Sequence, residues 1–167
     1  MPEDEGIDYE LVEGELVSMS SPTPWHTILR DDLIVLLKLF LRQHPVGIVL
    51  SEVDCRTLEG TVRRPDVSFI TAGRLRQIDL HKTPLPGAPD IAIEILSPSE
   101  SAIDVHRKKA EYLKSGSQEV WVLDVSNQEV YIHAPNSVRL LRGGDLLQSD
   151  LLPGFSVPVS DVLSPAA

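Results

Sequence analysis

Ile91-Ala92-Ile93-Glu94-Ile95-Leu96 is a run of aliphatic residues broken by a single acid and followed at once by Ser97-Pro98-Ser99. A short apolar run rich in β-branched residues predicts a central strand buried on both faces. Such a strand needs neighbours on either side and layers above and below it. Ser97-Pro98-Ser99 then starts a helix running from about Ser101 to Lys114, with Gly116 just past its end. Further on, Val120-Trp121-Val122-Leu123-Asp124 and Glu129-Val130-Tyr131-Ile132-His133 read as a strand pair. The tail (Leu151, Leu152, Phe155, Val157, Val159, Val162) is apolar but interrupted by proline, which predicts an edge strand or a packed arm.

Upstream, Asp66-Val67-Ser68-Phe69-Ile70 and Ile48-Val49-Leu50-Ser51-Glu52-Val53 also read as strands. Between them and the central run, Ala72 to Pro89 is rich in turn formers and predicts an exposed loop. From Trp25 to Gln43, Leu29, Leu33, Leu36, Leu37, Phe40 and Leu41 recur at three and four, the period of an amphipathic helix. Thr23 is its N-cap and Pro24 its first position, while Pro45 and Gly47 end it. Tyr9-Glu10-Leu11-Val12 and Glu15-Leu16-Val17-Ser18-Met19, joined by Glu13-Gly14, predict a hairpin. The whole is one domain over 1–167 of α/β or α+β class, a mixed sheet flanked by helices, with an acidic tail over 1–8 and the Pro-interrupted arm over 151–167.

The charge needs reading by position. The chain of 167 residues carries a formal net charge of -10, which at first sight argues against a nucleic-acid partner. Yet residues 1–20 hold seven acids and no base, and residues 145–167 hold three acids and no base. The section between them is neutral, with 15 acids against 15 bases. No apolar run reaches the length of a membrane span. The single cysteine, Cys55, excludes an internal disulfide and a cysteine-based zinc cage, and predicts a reducing, cytoplasmic setting.

Glu94 is the most informative residue, because an ionised carboxylate in a buried strand costs several kcal/mol unless a cation or good donors meet it. It is either the partner of a buried Arg or Lys, or a metal ligand at a strand end. Asp66 opens another apolar strand directly after Arg63-Arg64-Pro65. Two acids on neighbouring strands can hold one hard cation through oxygen. Asp104, Lys108 and Tyr112 are spaced to form one stripe on the following helix, where Asp104 and Lys108 make a surface ion pair or Lys108 reaches back over the sheet end. Lys109 falls within the apolar arc of Val105, Leu113 and Tyr112 and competes with Lys108 for that second role.

These residues resemble a known family. Tyr9 to Val17 with its Glu-Gly turn, His26 opening a helix, Arg64-Pro65-Asp66-Val67, Ile93-Glu94-Ile95-Leu96-Ser97-Pro98-Ser99, the set Asp104, Lys108, Tyr112 and Gly116, and Glu119 to Asp124 together are similar to the Uma-two family of restriction endonucleases. The resemblance covers roughly Ile7 to His133. It implies the restriction-endonuclease-like fold of PD-(D/E)xK nucleases and hydrolysis of DNA assisted by Mg²⁺ or Mn²⁺. Asp66 would be the motif aspartate and Glu94 the acid of the D/E-x-K pair, both as metal ligands with the Ile95 carbonyl. Two positions beyond Glu94, where many such nucleases keep lysine, stands Leu96. In this family the lysine has moved to the next helix, which selects Lys108. Glu15 and His26 are candidate accessory residues, and a homodimer facing two DNA strands is expected. Two other readings stay open: a catalytically silent nucleic-acid-binding or regulatory module, and a metal hydrolase of a small substrate.

Overall fold

A computed structural model describes residues 8–98 and 100–164. Most of the acidic segment 1–8, and Ser99 of the Ser-Pro-Ser turn, lie outside the described residues. The chain opens with a hairpin, β1 (Tyr9–Val12) and β2 (Glu15–Ser18), then the long helix α1 (Pro24–Gln43). Four strands follow: β3 (Gly47–Ser51), β4 (Cys55–Leu58), β5 (Thr61–Arg63) and β6 (Val67–Thr71). A one-turn helix α2 (Ala72–Leu75) and the short β7 (Leu85–Pro86) lead into the central strand β8 (Ile91–Ile95). After α3 (Ala102–Lys114) come β9 (Glu119–Asp124), β10 (Glu129–Ala134), β11 (Ser137–Arg142), β12 (Leu146–Leu147), β13 (Val157–Pro158) and α4 (Val159–Leu163).

Two sheets form, where the sequence predicts one. The larger runs β11-β10-β9-β8-β6-β3 and the smaller β2-β1-β5-β4-β7, while β12 and β13 pair apart from both. In the larger sheet β8 lies antiparallel to β6 and parallel to β9. The parallel pair requires a crossover, which α3 supplies.

All five residues of β8 are buried. Alternate side chains point to opposite faces. Ile91, Ile93 and Ile95 join the main core with Leu29, Leu33 and Leu37 of α1. Ala92 faces the other way, into a second cluster with Tyr112 of α3 and Val120 and Val122 of β9. The helices therefore lie on opposite faces of one sheet, and the β8 end lies between them.

The C-terminal arm belongs to the first of these layers. Leu152, Phe155, Val159, Val162 and Leu163 are buried in the main core, so the tail packs on its own chain.

The expectation of an exposed loop over Ala72 to Pro89 holds for its middle, where residues 76–83 are mostly exposed, and is corrected at its ends, where α2 forms the first turn and Leu85, Ala88 and Pro89 are buried. Leu85 is buried with Cys55 and Ile70, because β7 pairs parallel with β4 and lays that leucine between the two sheets. Ala88 is wholly buried as well.

Local chemistry sets the boundaries. Thr23 caps α1, its hydroxyl accepting from the His26 amide at 3.2 Å, with Pro24 following. Glu13 and Gly14 both take positive φ, 51° and 87°, the requirement of a two-residue hairpin turn. Gly47 is required by close approach: a Cβ there would stand 2.2 Å from the Ile70 carbonyl oxygen. Among the described residues, no helix is long and apolar enough to cross a membrane.

Candidate active site

The end of β8 gathers side chains from both helical layers. Asp66 stands one residue before β6, and its Oδ2 accepts the Ile95 backbone N–H at 2.7 Å. That bond locks the aspartate beside the residue that follows Glu94. From the α1 side, His26 Nε2 reaches the same Oδ2 at 3.3 Å. Its hydrogen bond to Asp66 raises the histidine's pKa despite partial burial. His26 Nδ1 is buried and finds no hydrogen-bond partner among the described residues.

Glu94 points to the α3 face, 6% exposed. Tyr112 donates its hydroxyl to Glu94 Oε1 at 2.6 Å. Lys108 lies one turn earlier on α3, its Nζ 3.8 Å from Glu94 Oε2 and 3.0 Å from Glu100 Oε1. Burial pushes the Glu94 carboxyl up to about 8; the Lys108 charge opposes the shift and Asp66 adds to it. Burial works against the Lys108 ammonium too, but Glu94, Glu10 and Glu100 outweigh it and raise its pKa. The site thus pairs a firmly charged Lys108 with a Glu94 that resists ionisation.

Of the two lysines, Lys108 is the one the fold turns toward Glu94. Asp104 does not pair with it. It accepts from the Ser101 hydroxyl at 2.6 Å, closing the α3 N-terminus, and meets Arg107 at 3.3 Å.

Asp66, Glu94, Lys108 and His26 therefore meet, and Glu15 does not join them. Glu15 is exposed on the outer strand of the hairpin, opposite Val12. No hydrogen bond or ion pair ties it to the other four among the described residues. The hairpin acid that acts on the site is Glu10, whose charge bears on Glu94, Lys108 and Tyr112. Glu10 is 5% exposed and accepts from Arg63 Nη1 at 2.8 Å, while Arg63 Nε donates to Glu111 of α3 at 2.6 Å. This carboxylate–guanidinium–carboxylate bridge fixes α3 against the smaller sheet, and with it Lys108 and Tyr112. In β1 Glu10 shares the inward side with Val12, and which side turns inward is not readable from four residues.

Among the described residues, no group of three or more His, Cys, Asp and Glu side chains is arranged to cage a metal ion. Asp66 and Glu94, near enough that the charge of one bears on the other, would offer oxygen donors of the kind a hard divalent cation takes. The described bonds to Asp66 fall on Oδ2, which leaves its Oδ1 for such an ion, whereas Glu94 accepts from Tyr112 through Oε1 and faces the Lys108 ammonium through Oε2 at 3.8 Å.

Comparison with known proteins bears on the family and the fold. A family model described as "Uma2: Putative restriction endonuclease" matches residues 1–160. A crystal structure from Anabaena variabilis ATCC 29413, described as "a putative nuclease belonging to DUF820", has the same fold, with a TM-score of 0.81 at 22% identity over 98% of this chain and 93% of that one. No curated protein matches the chain.

Proposed function

The chain belongs to the Uma2 family, and on that premise we propose that it hydrolyses DNA phosphodiester bonds with a divalent cation, Mg²⁺ or Mn²⁺, held by Asp66 and Glu94. The carrying observation is the meeting of a buried acid, an acid tied to the adjoining backbone amide, and an ammonium 3.8 Å away at one strand end. When bound, the cation supplies positive charge at the phosphate and makes a water more acidic.

The chain's own residues do the rest. The Ile95 amide and His26 restrain Asp66 from two sides, so its carboxylate holds one orientation. Tyr112 does the same for Glu94. Lys108 stays protonated, so it acts as a donor: it orients the attacking water and meets the negative charge that builds on the phosphoryl oxygens. The water oxygen forms the new bond to phosphorus as the bridging P–O bond breaks, the water's proton passes to solvent and the departing sugar oxygen takes up a proton from solvent.

The test is cleavage of plasmid, single-stranded and branched DNA in Mg²⁺ or Mn²⁺ by the wild type, Glu94→Gln and Lys108→Met. Each substitution is expected to lower the rate by about 10²–10³-fold, with the fold retained by circular dichroism. Wild-type inactivity on every substrate, or unchanged rates in Glu94→Gln, would sink the reading. DNA binding without turnover in either metal would favour the silent-module alternative.

A further inference from the structure

Beside the Glu94 site, on the same face of the larger sheet, lies a second cavity of about 370 Å³. It is walled by Leu96, Val105 and Val122 and floored by Tyr131 and His133. Glu100, which binds Lys108 through one oxygen, also lines this cavity, so the two sites share a wall. The Tyr131 and His133 rings are neighbours on β10 and run nearly parallel, 12° apart with centroids at 6.2 Å. Half-buried Lys109 and exposed His106 also line the cavity. Lys109 has no ion-pair partner among the described residues.

Flat rings, aliphatic walls and the Lys109 ammonium, with the Glu100 carboxylate already engaged by Lys108 at 3.0 Å, suit a ligand that is planar, partly apolar and anionic. The volume is at the lower end for small-molecule sites, which run roughly 300–1,000 Å³, so it suits a single nucleotide. Every base offers a π-face to aromatic side chains, and the adjoining phosphate suits Lys109. A base paired and stacked in duplex cannot enter a side pocket; it must be unpaired or extruded.

We propose that this cavity receives the base of an unpaired nucleotide adjoining the scissile phosphate, so that the substrate class is single-stranded, flapped or base-extruded DNA. This rests on the nuclease reading for the identity of the ligand as a DNA strand. The binding itself can be read without metal or turnover.

In EDTA, the C2–H proton resonances of His106 and His133 are followed by NMR while wild-type protein is titrated with dTMP, dAMP, inorganic phosphate, a single-stranded oligonucleotide and the same oligonucleotide as duplex. Both nucleotides and the single strand are expected to shift the two resonances, and phosphate and duplex to need at least tenfold higher concentration. Ala102→Trp, which fills the cavity from its rim, and the surface change Lys109→Glu should each weaken nucleotide binding at least tenfold with thermal midpoints preserved. Equal shifts from phosphate alone, equal shifts from duplex, or undiminished binding in both variants would overturn the proposal. Cleavage by the wild type in Mg²⁺ or Mn²⁺ separates the two readings. Efficient cleavage of duplex with no nucleotide-induced shifts overturns the pocket and leaves the nuclease standing. Shifts without cleavage of any DNA overturn the nuclease reading and leave a nucleotide site.

Discussion

His133 is held neutral by its surroundings. Burial first, then the nearby charges of Lys109 and His106 on α3, push its pKa down from the usual histidine range to about 4. In the unfolded chain it titrates near 6.5. Between those values the unfolded state binds a proton that the folded state refuses, so stability falls as pH drops from about 6.5 toward 4 and His133 contributes nothing above that window. His133→Gln is expected to show a shallower loss than wild type across this interval, with the two curves parallel above pH 7, measured as urea midpoints at constant ionic strength. Curves parallel throughout would show that the histidine is not desolvated. The same principle makes Glu94 legible from sequence: a charge among aliphatic residues must be answered, and Tyr112 and Lys108 answer it. Glu10 was not legible, because its answering groups, Arg63 and the Arg64 amide, are more than 50 positions away.

Long apolar runs could be read, whereas β7, whose inward Leu85 is apolar, escaped because it is only two residues long. The Trp25–Gln43 periodicity, the Thr23 cap and the central strand match α1 and β8 closely. β4 and β5 escaped because their buried positions are Cys55, Thr57, Thr61 and Arg63, a polar row that shows no hydrophobic alternation. β11 escaped for the opposite reason: as an edge strand it is exposed at five of its six positions. Polar inward faces have an energetic consequence. Arg63 is 2% exposed and engages both Glu10 and Glu111, joining β5, β1 and α3. Removing the cation alone leaves two buried carboxylates facing each other, so Arg63→Met should cost about 3–5 kcal/mol of stability in denaturant unfolding. Replacing all three residues together (Arg63→Met, Glu10→Leu, Glu111→Leu) should recover much of that loss, since no uncompensated charge is left. Equal losses in the single and triple variants would mean that the bridge matters through packing and not through charge.

At the scale of the whole molecule, a net charge of -10 and the proposed DNA substrate pull against each other. The acids in excess lie at the two ends of the chain, and the interior arginines are largely spent on acids: Arg63 on Glu10 and Glu111, Arg64 on Asp8 and Asp54, Arg30 on Asp31 and Glu52. The cations without an ion pair among the described residues (Lys38, Arg42, Arg56, Arg76, Lys109 and Lys114) are scattered along the chain and form no run of basic residues. DNA affinity should accordingly depend on the divalent ion more than on a basic surface. In Ca²⁺, chosen to permit binding while slowing turnover, the dependence of log affinity on log KCl is expected to have a slope no steeper than about -3, corresponding to about three neutralised phosphates. In EDTA, duplex binding should weaken at least tenfold, because Asp66 and Glu94 then face the phosphate as bare acids. A steep salt slope, or affinity indifferent to the divalent ion, would mean that a basic groove elsewhere on the surface carries the DNA and that the acid pair at the β8 end is not where the backbone is held.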